Sequence, residues 1–81
     1  MTQYKIKIFK QQTQECCKVV SCEKNILQDV KEEYSRVVEE VELPDGEYYS
    51  RLYRILNGED ILVKDAHEYV LVSKNYKTKI G

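Results

Sequence analysis

The chain has 81 residues, 42% apolar and 33% charged, with a formal net charge of −1. A chain of this length makes one domain, since it buries only about 60–65% of the surface its unfolded form exposes, and its apolar content excludes disorder throughout. No apolar run approaches the roughly 18–20 residues that span a bilayer, and the start Met-Thr-Gln-Tyr-Lys lacks the charged and apolar blocks of a signal peptide, so the expectation is a cytoplasmic protein with no membrane partner.

Residues 4–9 (Tyr-Lys-Ile-Lys-Ile-Phe) alternate with period 2, which places Tyr4, Ile6 and Ile8 on one face of a strand and Lys5, Lys7 and Phe9 on the other. A polar loop over 10–14 follows, without the Gly or Asn that usually marks a hairpin, and residues 15–21 read as a second strand. Asn25 and Gln28 have the spacing of a capping box, with Asp29 adding a favourable charge near the positive helix end. A helix is therefore predicted from Ile26 to between Glu39 and Glu42. Its apolar stripe is Ile26, Leu27, Val30, Tyr34, Val37, Val38 and Val41. Pro44-Asp45-Gly46 stops it. Residues 48–56 are rich in aromatic and branched side chains and end at Asn57-Gly58, a strong two-residue hairpin signal. Residues 61–64 pair back, and after a short 65–67 connection a last strand covers 68–74, leaving 75–81 as a frayed basic tail. The order is β-β-α-β-β-β: an α+β domain with one helix on one face of a mostly antiparallel sheet and a meander at its end.

Charge is sorted along this order. Residues 1–22 carry a balance of +3, residues 23–47 one of −6, and the remainder +2. A helical side that is acidic thus stands apart from a basic, tyrosine-rich sheet. Such segregation points to a binding surface.

Two surfaces are candidates. On the sheet, Lys5, Lys7 and Phe9 share the outer face with Tyr49, Arg51 and Tyr53 if the third strand presents these residues outward, since i, i+2 and i+4 lie on one side. An aromatic-Arg-aromatic ladder beside lysines suits single-stranded nucleic acid, where bases stack on rings and ammonium groups neutralise phosphates, and it equally covers backbone or contacts a protein. On the helix, Glu32, Glu33, Glu39 and Glu40 fall on the solvent side, where they either meet a basic partner or simply keep the helix hydrated.

The remaining chemistry is sparse. Cys16, Cys17 and Cys22 lie within seven residues of one another, and the pattern Cys-Cys-x4-Cys with a distant His67 does not fit a zinc site; buried thiols are expected. His67 reads as a turn residue between Asp65 and Glu68, with no nucleophile tied to it, and no Gly-rich phosphate loop exists. Neither an enzymatic activity, a metal nor a cofactor is expected.

In element order, residues 4–64 resemble the β-grasp fold of ubiquitin-like domains: an Ile-alternating strand, a short loop, a second strand, a helix opening Asn-Ile-Leu-Gln-Asp-Val, a Pro-containing turn and a further strand pair. The resemblance implies a protein-interaction module that uses its open sheet face or an edge. It departs where ubiquitin-like domains reach their last, central strand by a long connection, and where carrier proteins end in two glycines while this chain has Gly81 alone. The reading is a small regulatory or protein-binding domain, of the kind also encoded by viruses and mobile elements, with a protein partner or a second copy in a homodimer. The alternative is a single-stranded nucleic-acid binder.

Overall fold

The computed structural model describes residues 2–74; the predicted tail at 75–81 lies outside them. The elements are β1 (Gln3–Lys10), β2 (Cys16–Ser21), α1 (Leu27–Glu40), β3 (Gly46–Leu56), β4 (Glu59–Leu62) and β5 (Val70–Ser73), the predicted β-β-α-β-β-β order in one α+β domain. Every strand pairing among the described residues is antiparallel, in the order β2-β1-β3-β4, with β5 also on β3.

The β1–β3 ladder sets the two faces. Its register matches Tyr4 with Arg54, Ile6 with Leu52, and Ile8 with Ser50. Tyr4, Ile6, Ile8, Tyr48 and Leu52 point inward against Val30 and Tyr34 of the helix, and these seven side chains form the core. Leu27, Val37, Val38 and Val41 extend the helical stripe as partly buried neighbours. Ile26, expected at the head of that stripe, is 64% exposed. It occupies the N-cap with extended backbone, one residue before the first turn, so its side chain is off the buried face.

The expected capping box is absent: no described side chain caps the start of this helix. The preceding loop is held instead by Glu33, whose carboxylate accepts from the backbone N–H of Glu23 (2.9 and 3.1 Å) and of Lys24 (3.0 Å). This carboxylate, reaching back from the second turn, satisfies two backbone donors of the loop.

At the far end the expected meander gives way to a different arrangement. Strand β3 has 11 residues and β4 only four, so β4 covers only Tyr53 to Leu56. β5 pairs with Gly46 to Tyr49 on the same edge. The segment between them fills the gap, with Val63 N–H donating to Leu52 O and Ser50 N–H to Tyr69 O. A long strand edge thereby has its backbone groups satisfied in series. The last described strand sits at the edge and not at the sheet centre it holds in ubiquitin-like domains; what the two arrangements share is one helix across one face of a sheet.

Candidate functional site: the uncovered sheet face

One helix covers one face, so the other faces outward along its whole length. Lys5 stands opposite Tyr53, Lys7 opposite Arg51, and Phe9 opposite Tyr49. All six residues expected on this face are there, as one two-stranded block. Inward register explains the choice of face on β3. Ser50, small and fully buried, leaves room beneath the sheet for the Tyr34 ring, and its Oγ lies 2.8 Å from Tyr34 Oη and 3.2 Å from Tyr69 O. Tyr34 donates to Ser50, which donates to the carbonyl.

The rings and cations of the open face are locked together. Phe9 and Tyr49 stack with centroids 5.0 Å apart and planes 13° from parallel. The Arg51 guanidinium lies 5.2 Å from the Tyr49 centroid and 6.0 Å from that of Phe9, while Lys7 Nζ sits 4.9 Å from the Tyr53 centroid.

Two carboxylates complete this face. Asp60 bridges both lysines, at 3.0 Å to Lys5 Nζ and 2.7 Å to Lys7 Nζ. The hydrogen bond to Lys7 and then that to Lys5 hold the Asp60 carboxyl below its usual range, and Asp60 in turn raises the Lys7 ammonium. Glu68 Oε2 lies 3.0 Å from Arg51 Nε. The N–H is not aimed at that oxygen, so the contact is Coulombic and the Nε donor finds no hydrogen-bond acceptor among the described residues. Asp60 was legible in the sequence, because a two-residue Asn57-Gly58 turn pairs residue 56 with 59 and hence Ile55 with Asp60. Glu68 was not, since an irregular loop places it.

Apolar side chains flank the charges. Val70 and Val72 of β5 are 69% and 59% exposed, and Val19 of β2 is 52% exposed. Register puts Val70 beside Tyr49, Val72 beside Glu47, Val19 beside Lys7, and Leu62 beside Tyr53.

Elsewhere the chemistry is thinner. Glu32, Glu39 and Glu40 are exposed on the helix, and Glu33 is spent on the loop above. Cys16 and Cys17 are exposed, correcting the expectation of buried thiols, because β2 is an edge strand with almost no inward face. Only Cys22 packs against the core; burial, aided by the nearby Glu33 charge, pushes its thiol up to about 11, away from the reactive thiolate form. Among the described residues no cluster of His, Cys, Asp and Glu has metal-binding geometry. His67 is exposed with its ring 5.7 Å from that of Tyr69. No described helix is long and apolar enough to cross a membrane.

The chain matches no protein-family model, no curated protein and no solved structure.

Proposed function

We propose that this chain is a non-enzymatic protein-interaction or regulatory domain that meets its partner on the free sheet face. The observation that carries this reading is the charge balance of that face. Lys5 and Lys7 already hold Asp60, and Arg51 already stands against Glu68, between exposed valines and stacked rings. A surface whose cations are neutralised from within offers little to a polyanion, whose binding depends on releasing counterions by free positive charge. It offers much to a protein, because rigid aromatic groups, an arginine and a polar surround are the usual makings of an interface. The partial likeness to β-grasp modules supports the same use of an open sheet.

Single-stranded nucleic acid is the second reading, favoured by the Tyr49-Arg51-Tyr53 ladder with lysines opposite it. Two measurements separate them. Affinity capture is compared for the wild type, an Arg51→Glu/Tyr53→Ala face variant and a Glu39→Lys/Glu40→Lys helix variant. A protein lost only from the face variant supports the first reading, and one lost only from the helix variant moves the site to the helix. Fluorescence polarisation with mixed-sequence single-stranded RNA and DNA at two salt concentrations tests the second. Tight, salt-sensitive binding abolished by Arg51→Ala would put nucleic acid first.

A further inference from the structure

We infer that the free edge of β5 is a second contact site, which takes an extended segment of apolar and basic residues from a protein partner as an added strand. The inference does not rest on the open sheet face and concerns a different part of the surface.

The main chain points to a strand as the occupant. Ser50 N–H donates to Tyr69 O, so Tyr69, and by alternation Leu71 and Ser73, turn their backbone groups toward β3. Val70 and Val72 turn theirs the other way. Their N–H and C=O groups have no partner among the described residues, and an extended peptide laid along this edge satisfies them. The other two borders of the sheet discourage such use: β2 is interrupted by a bulge and carries Lys18, and β4 presents Glu59 and Asp60. Strand β5 has neither a charge, a proline nor a bulge, and Val70 and Val72 stand 69% and 59% exposed along it.

Side chains beside the edge select the residues of that strand. A groove of about 400 Å³ runs between α1 and β5, walled by Val38, Val41, Leu43 and Leu71. Side chains alternate across an added strand, so those on the helix side enter this groove and those on the other side continue the row of Val70 and Val72. Apolar residues suit both positions. Two carboxylates set the sign of the charge: Glu39 lines the groove, and Glu47 stands opposite Val72 on β3. Neither forms an ion pair among the described residues, and no described lysine, arginine or histidine lines the groove. A lysine or arginine next to the apolar residues therefore meets an acid on either side of the edge, and an acidic segment is repelled.

The probes are three short synthetic peptides: one alternating valine and lysine, one alternating valine and glutamate, and the valine–lysine peptide with a central proline. Binding to the full chain is followed by amide chemical shifts and hydrogen exchange. Expected are Val70 and Val72 amides that exchange freely in the protein alone and become protected by the valine–lysine peptide, which binds about tenfold or more tighter than either of the others. Val72→Pro removes a donor that points away from β3, so the fold persists, as circular dichroism verifies, while affinity falls about tenfold or more. Glu39→Lys, at an exposed helix position remote from the ladder, reduces or reverses the preference for lysine over glutamate. Arg51→Glu/Tyr53→Ala leaves peptide binding unchanged. The proposal is overturned if the valine–lysine peptide shows no binding up to about 1 mM, or if the proline-containing peptide binds as well. Val70 and Val72 amides already protected before any peptide is added overturn it too, since the edge is then occupied within the chain. So does a dimer, seen by light scattering, that Val72→Pro dissociates, since a second copy then takes the edge. None of these results bears on capture of a protein by the open face, so the two readings fail separately.

Discussion

A hydroxyl with no solvent exposure must use both its donor and its acceptor capacity, and Ser50 does so between Tyr34 Oη and Tyr69 O. Replacing it by Ala removes the hydroxyl that meets Tyr34 Oη in the interior, at a cost of about 1–3 kcal/mol in urea unfolding, whereas the Tyr34→Phe/Ser50→Ala pair, which removes both groups, costs less than the sum of the single changes. On the opposite face Asp60 sets a pH dependence. Its folded carboxyl lies below the unfolded value, so its contribution is complete above about pH 4 and is lost as pH falls through the depressed folded value. The Lys7 side runs the other way: raised in the fold, it keeps the pair intact at neutral pH and loses it only as pH rises beyond the ordinary lysine range. Thermal melts between about pH 5 and 2 should therefore fall less steeply in Asp60→Asn than in the wild type, and an unchanged slope would show that the Lys–Asp contact is not formed in solution.

Two hairpin turns with unlike chemistry join neighbouring elements. Asn57 and Gly58 have φ of 51° and 79°, the paired left-handed geometry of a tight hairpin, and the added Cβ of a residue at Gly58 would meet open space. Substitution there is penalised by backbone conformation alone: Gly58→Val lowers stability by about 1–2 kcal/mol. In the first hairpin Gln14 takes φ of 63°, closed by its N–H donating to Lys10 O at 2.7 Å. A glutamine carries a steric cost there that glycine does not, so Gln14→Gly is expected to stabilise by a few tenths to about 1 kcal/mol, net of the entropy glycine gains in the unfolded chain. Denaturant midpoints of the two variants should move in opposite directions. Strand β2 between these features has an exposed edge, and its Lys18 and the bulge between Ile8 and Phe9 interrupt the flat, uncharged surface that would invite uncontrolled pairing.

Among the described residues the domain rests on a thin core of seven buried apolar side chains under a single layer of sheet. A chain of this size is marginal unless something else contributes, and any partner that binds only the folded state would contribute by mass action. The melting temperature reads such a contribution: if copies of the chain associate, it rises with protein concentration. A concentration-independent wild type would mean that the thin core suffices by itself.

The element order, the helix and the composition of the open face were legible in the residues, because each depends on local periodicity or on a turn. Alternation placed Lys5, Lys7 and Phe9 together, Asn57-Gly58 fixed the second hairpin, and spacings of three and four marked the helix. What the sequence could not determine were contacts between residues far apart in the chain. Which side of β3 is buried depended on Tyr34 finding Ser50, 16 residues away. Glu33 looked like one more solvated acid and instead secures the loop ten residues before it. The seat of β5 beside β3, and of Glu68 beside Arg51, followed from a long strand edge needing partners for its backbone. Periodicity tells each residue which face it occupies, while burial and hydrogen-bond satisfaction decide what that face meets.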